Sequence, residues 1–134
     1  MRAQIFLKIA SVIMLIHNIG HTIGHLGWTK AKEAGQKLAI DAMQNNKFMF
    51  MGRKSSFGKF YEGYGWAGTI SMLLVMLLLW WGNTNSPESR RVVVLITLFL
   101  VCWGIMEWIC FFPMAAIFSF VAATCCIIAL CLKK

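Results

Sequence analysis

The chain has 134 residues, of which 59% are hydrophobic and only 13% are charged, and its formal net charge is +8. An ordinary globular domain has about 25% charged residues, so this composition cannot cover the surface of a water-soluble protein. The apolar residues also form four long blocks, each near the roughly 20 residues that a helix needs to cross a bilayer. Composition and patterning therefore exclude a soluble domain and predict a membrane protein.

The first apolar block runs from Ile9 to Trp28 and contains no Lys, Arg, Asp or Glu. It is too long for the apolar region of a cleaved signal peptide, and its histidines interrupt such a region. No small-residue cleavage site precedes its polar stretch either. We therefore expect this block to remain as the first transmembrane helix.

Three further blocks follow, at Tyr64–Trp81, Val92–Phe112 and Met114–Leu132. As one helix, the last two would measure about 60 Å, twice the hydrocarbon thickness, so the chain must turn between them. Pro113 disfavours a helical conformation at Phe112, which places this turn at Phe111-Phe112-Pro113. The predicted fold is an all-α integral membrane protein, a four-transmembrane-helix bundle forming a single membrane domain over residues 1–134. Its spans are expected at about 9–28, 62–82, 91–112 and 114–132.

The segment between the first two spans, residues 29–60, is net positive. Helix-forming residues follow Thr29, the expected N-cap, and place Ala31, Ala34 and Leu38 near one face, while Phe48–Met51 adds an apolar patch. We expect an amphipathic, partly helical juxtamembrane loop that lies on the bilayer and contacts anionic lipid head groups. Nucleic-acid binding is not expected, because the basic residues are spread over membrane flanks rather than gathered in one stripe.

Basic residues on the two sides of the membrane are nearly balanced, since the first loop carries seven and the side of both termini carries Arg2, Lys8, Arg90, Arg91, Lys133 and Lys134. The last pair of helices breaks this balance. The turn between the last two spans is uncharged, whereas the open end of that helix pair is flanked by Arg90, Arg91, Lys133 and Lys134. Short cytoplasmic segments are enriched in Lys and Arg. The pattern therefore favours both termini in the cytoplasm.

The first span carries three histidines on one face. With His17 at 0°, a rotation of about 100° per residue places His21 near 40°, His25 near 80° and Asn18 near 100°. Gly20, Gly24 and Gly27 lie beside this face and predict a groove that admits a neighbouring backbone. The remaining arc is apolar and is expected to face lipid: Leu15, Ile16, Ile19, Ile23 and Leu26.

His17 and His25 are about 12 Å apart along the helix axis, so one metal ion cannot bind all three histidines. An adjacent pair can share an ion if other helices supply further ligands. Glu107, counted from the end of its span, matches the depth of His21, and Glu62 should lie near His25. These residues predict a polar cluster, with a possible metal set of His21, His25 and Glu107.

The same cluster suggests other ligands and an opening. Tyr64 is expected close to the histidines, and the cluster opens toward the first loop, where Arg53 can meet an anionic group. Ionisable residues within a membrane are costly and often functional, but a His and a Glu can also pair across helices only to fix packing. Both interpretations of the His21 and Glu107 pair remain open.

Three segments carry a resemblance to a known group of proteins: HNIGHTIGH in the first span, GRKSSFGKFYEGYG before the second, and EWICFFP between the last two. Together they resemble a family of small uncharacterised bacterial four-helix membrane proteins with no established activity. The resemblance implies the four-helix architecture and a bacterial inner (cytoplasmic) membrane location. In size and helix number the chain is also similar to DoxX-like membrane proteins, which implies an association with redox systems.

The leading functional hypothesis is a His/Glu pocket that binds a small or lipophilic ligand or cofactor, such as a quinone, haem, a lipid or a divalent metal ion. Imidazole titrates near neutral pH, so a His beside a Glu can also handle protons. The alternatives are a non-catalytic accessory or assembly subunit, as a homo-oligomer or in a larger membrane complex, and a membrane-embedded isomerase or oxidoreductase acting on a lipid-like substrate.

Overall fold

A computed structural model describes residues 2–132 of the protein. Its helices are α1 (Arg2–Leu26), α2 (Ala34–Asn45), α3 (Phe57–Trp81), α4 (Pro87–Cys110) and α5 (Pro113–Cys131), and a hairpin of β1 (Phe48–Phe50) and β2 (Arg53–Ser55) lies between α2 and α3. All but α2 are long and apolar enough to cross a membrane. The predicted all-α class is confirmed, and the chain is an integral membrane protein.

The ends of the helices follow from local sequence signals. Ser86 caps α4 by accepting a hydrogen bond from the backbone N–H of Ser89 at 3.1 Å, and Pro87 occupies the first turn, where it sacrifices no helical hydrogen bond. Phe112 is extended, with φ −141° and ψ 150°, and α5 begins at Pro113. The predicted turn between the last two spans is therefore confirmed.

The first loop differs from the prediction in two details. Helix α2 begins at Ala34 with Glu33 at the N-cap position and no capping hydrogen bond from its side chain, so Thr29 was the wrong cap. The apolar patch at Phe48–Met51 contributes a β-strand and a turn, with Phe48 opposite Ser55 and Phe50 opposite Arg53. The loop is partly helical as predicted, and none of the residues of α2 is buried.

The described chain divides into two compact units. One contains the residues up to Ile19 and those from Ser71 onward, and the other is Gly20–Ile70. The prediction of a single membrane domain over residues 1–134 stays a prediction.

The first unit has a four-helix core. Buried apolar side chains from α1, α3, α4 and α5 pack together there: Leu7, Ala10, Met14, Met72, Val75, Leu79, Val93, Ile96, Leu100, Ala122, Ala123, Cys125, Cys126 and Ala129. The α5 members are all Ala or Cys, and small side chains let helices approach closely within a membrane. Ser11 adds a hydrogen bond between helices, donating from Oγ to the carbonyl oxygen of Met76 at 2.8 Å. This core packs together the parts of the four helices that belong to the first unit.

Candidate functional site

The carboxylate of Glu107 lies at the centre of a polar site in the first unit. Glu107 is on α4 and only 7% exposed. Its Oε1 is 2.9 Å from Nε2 of His17 on α1, and it accepts a hydrogen bond from the indole Nε1 of Trp103 at 2.8 Å. Its Oε2 accepts a hydrogen bond from Oγ of Ser119 on α5 at 2.6 Å. One carboxylate thus joins three helices.

Local geometry explains how two of these partners reach Glu107. Trp103 precedes Glu107 by one helical turn, so both side chains lie on one face of α4. Ser119 and Glu107 are equally far from Pro113 along the chain. Because α4 and α5 fold back on each other at that proline, residues equidistant from it come level. The Phe111-Phe112-Pro113 turn therefore brings Ser119 level with Glu107.

The donors around Glu107 determine which nitrogen of His17 carries a proton. Indole N–H can only donate, so Oε1 acts as an acceptor toward Trp103. Oε2 accepts from the Ser119 hydroxyl. If the carboxylate is ionised it can only accept, and Nε2 of His17 must then carry the proton that it donates to Oε1.

The other ring nitrogen of His17 has no such anchor. Nδ1 is buried and has no hydrogen-bond partner among residues 2–132, and the same holds for Oδ1 of the neighbouring Asn18. His17 is 5% exposed and Asn18 is 8% exposed. Phe118 on α5 stacks against the His17 ring, with centroids 5.5 Å apart and an interplanar angle of 23°. Buried polar atoms are nearly always paired, so these two atoms on consecutive residues are exceptions.

The pairing of Glu107 with His21, inferred by counting from the helix ends, was wrong. His17 is the partner of Glu107, and it lies more than two turns before the end of α1, whereas Glu107 lies within the last turn of α4. The count assumed that the two helices end at one level, and nothing in a helical sequence requires this. The polar pair itself was found, with the wrong member of the histidine face.

His21 and His25 contact α3 within the second unit. Nε2 of His21 is 3.0 Å from the carbonyl oxygen of Gly65, and the neighbouring Thr22 hydroxyl is 3.1 Å from that of Thr69. The His25 ring lies edge-on to Trp66, with centroids 5.5 Å apart, and tilted against Tyr61 at 6.5 Å. His25 is 7% exposed, and its Nδ1 has no hydrogen-bond partner among the described residues. These two histidines are therefore packed against the backbone and rings of α3.

Glycines on α3 make this packing possible. A Cβ built on Gly65 would overlap the His25 ring, and one built on Gly68 would lie 3.0 Å from Nε2 of His21. The sequence predicted the groove on α1 instead, but a Cβ on Gly20 or Gly24 would meet nothing within 4 Å. The apolar arc of α1 is exposed as predicted, from 40% at Leu15 to 67% at Ile23.

The remaining predicted residues lie on the surface. Glu62 is exposed, Tyr64 is 79% exposed, and Arg53 is exposed on β2. Within the described part of the chain, no hydrogen bond or ring contact links any of the three to a histidine. No three His, Cys, Asp or Glu side chains in residues 2–132 are grouped to hold a metal ion. The metal set of His21, His25 and Glu107 stays a prediction.

The comparisons with known proteins add no identity, because the chain matches no protein family, no curated protein and no solved structure. The resemblance to small four-helix bacterial membrane proteins stays a prediction.

Proposed function

We propose that this membrane protein binds the polar head group of a lipophilic molecule, of the quinol and quinone class, at Nδ1 of His17. The observation that carries the proposal is the asymmetry of the imidazole. One nitrogen is held by a buried carboxylate, and the other is buried without a partner. A carboxylate that fixes one ring nitrogen leaves the opposite nitrogen oriented for a ligand, as in metal sites and catalytic dyads.

The protonation of His17 suggests the chemical class of the ligand. With Nε2 directed at Glu107, Nδ1 is the ring nitrogen available to a ligand. A bare Nδ1 accepts a hydrogen bond from a hydroxyl, and a protonated Nδ1 donates one to a carbonyl. Quinol and quinone head groups present these two functions in turn. Oδ1 of Asn18, also buried and unpaired, provides a second acceptor on the next residue of α1.

The surroundings of the site also favour a lipophilic ligand. Phe118 covers one side of the imidazole, and apolar side chains cover the outward faces of the four long helices. An apolar surround of this kind suits a molecule dissolved in the bilayer better than a water-soluble one. In this proposal Glu107, Trp103 and Ser119 orient His17 and do not themselves contact the ligand.

The proposal is tested by titrating purified protein with decylubiquinol and decylubiquinone while following tryptophan fluorescence. His17→Gln keeps an N–H near the position of Nε2 and removes Nδ1. We expect this variant to lower the affinity about tenfold, the effect of losing one hydrogen bond of about 1.4 kcal/mol. The matched control is His21→Gln on the same helix, which should bind as the wild type does. Equal affinities of the two variants would contradict the proposal.

The predicted location is retained as part of the proposal: a bacterial inner membrane with both termini in the cytoplasm. The guanidinium of Arg90 donates to the carbonyl oxygen of Leu130 at 2.9 Å, which joins the start of α4 to the end of α5. Arg90 and Arg91 therefore lie at that end, and Lys133 and Lys134 lie outside the described residues. An alkaline phosphatase reporter fused to the C-terminus should be inactive. An active fusion would show that the termini lie on the opposite side of the membrane.

A non-catalytic accessory subunit is the second candidate function. It is favoured by Gly20 and Gly24, which stand one turn apart with open space beside them. Glycines at this spacing permit close approach of another membrane helix, from a second copy or a larger complex. Stable oligomers that bind neither decylubiquinol nor decylubiquinone would support this function over the first.

A further inference from the structure

The hairpin between α2 and α3 has an exposed apolar tip. Met51 and Gly52 form its two-residue turn, both with positive φ, 46° and 79°, as a tight hairpin turn requires. Met51 is 91% exposed, Met49 is 69% exposed and Phe50 is 50% exposed. A soluble surface rarely presents such a contiguous apolar group without a partner.

An aromatic cluster fixes the hairpin to the first turns of α3. The Phe48 ring lies 5.0 Å from that of Phe57 and 5.8 Å from that of Phe60, and the Phe50 ring lies 5.3 Å from that of Phe60. Ser56, only 1% exposed, joins the hairpin to this helix. The hairpin is therefore held against α3 rather than suspended from it.

The order of these contacts gives the direction of the hairpin. At the start of β1, the Phe48 ring contacts both Phe57 and Phe60. Two residues later, the Phe50 ring contacts only Phe60 of these two. Phe60 lies about 4.5 Å further along α3 than Phe57. Strand β1 thus runs in the same direction as α3, toward its charge-free stretch, and the tip at Met51 lies further along than Phe60. The last charges on α3 before that stretch are Lys59 and Glu62.

Basic residues follow the hairpin tip, on the side away from the charge-free stretch of α3. Arg53 and Lys54 begin β2, which runs back from the tip, and both are exposed. Residues 42–61 also include Lys47 and Lys59 but contain no acidic residue. An apolar tip followed at once by basic side chains has the polarity of the bilayer boundary, where acyl chains meet phosphates.

We propose that the hairpin tip Phe50–Gly52 inserts into the bilayer interface beside α3, and that Arg53 and Lys54 bind the phosphates of anionic lipids. The contacts that carry this inference are separate from the His17 site. The two proposals can therefore fail independently.

Insertion is tested by photo-cross-linking in proteoliposomes of phosphatidylcholine and phosphatidylglycerol. A benzophenone amino acid replaces Met51 at the tip or, as the control, the exposed Asn46 before β1. Lipid adducts measured by intact mass should be at least about fivefold more abundant from position 51, because only the tip reaches the acyl region. Equal adduct yields from both positions would overturn the proposal.

Lipid binding is tested by native mass spectrometry of protein extracted from the same vesicles. R53Q/K54Q should lower retention of phosphatidylglycerol relative to phosphatidylcholine by roughly tenfold or more. The control K30Q/K32Q removes the same charge from exposed positions of the same loop. If both variants retain phosphatidylglycerol equally, the proposal is wrong.

Discussion

Glu107→Ala is expected to lower the free energy of unfolding by about 3 kcal/mol, because it leaves buried donors of His17, Trp103 and Ser119 without their acceptor. Hydrogen bonds within membranes average about 0.6 kcal/mol, but the loss of an acceptor shared by three donors adds the cost of leaving them unpaired. The measurement is unfolding by SDS in mixed micelles, followed by circular dichroism.

Two further variants show whether the effect belongs to the acceptor. Glu107→Gln keeps a carbonyl oxygen for His17 and Trp103, and its amide can donate to the Ser119 hydroxyl, so a loss of only about 1 kcal/mol is expected. Glu62→Ala removes an exposed carboxylate and should change stability by less than about 0.5 kcal/mol. If Glu107→Ala were as stable as Glu62→Ala, Glu107 would not organise the site.

Gly65→Ala is the second substitution with a large expected effect. Ala normally stabilises a helix relative to Gly by about 0.5–1 kcal/mol. Here the added methyl group would overlap the His25 ring, which is buried against Trp66 and Tyr61. Overpacking of this kind costs about 1–3 kcal/mol. Gly65→Ala should therefore lower the free energy of unfolding instead of raising it. The same SDS unfolding assay measures it.

Gly63→Ala is the matched control, because a Cβ on Gly63 would meet nothing within 4 Å. It should be neutral or slightly stabilising. The double variant Gly65→Ala/His25→Ala should recover part of the lost stability, since the clash is then removed and the two effects are not additive. A destabilisation of equal size in Gly63→Ala would show that glycine is needed for another reason.

The membrane fold could be predicted from the sequence because it depends on features that are local in the chain. Apolar block length set the spans, and Pro113 set the turn between α4 and α5. The helical period of α1 correctly separated an exposed apolar arc from the polar face. The hairpin was not predicted: Phe48–Met51 was described only as an apolar patch, although Phe48 and Phe50 alternate before a glycine.

The site was only partly predictable, because contacts between helices depend on their relative axial positions. Glu107 and the histidine face were recognised as unusual, but the choice among three histidines needed the offset between α1 and α4. Trp103 and Ser119 could have been assigned from their spacing relative to Glu107 and Pro113. The contacts of His21 and His25 with Gly65 could not, since no sequence signal pairs those residues.

The proposed binding site requires a proton on Nε2 of His17 and an Nδ1 that is available to a ligand. Solid-state nitrogen-15 NMR of histidine-labelled protein in bilayers measures both, with the His17→Gln spectrum used to assign His17. We expect Nε2 to be protonated with and without ligand, and the Nδ1 signal to shift when decylubiquinol is added. A bare Nε2 with the proton on Nδ1, unchanged by decylubiquinol or decylubiquinone, would contradict the account.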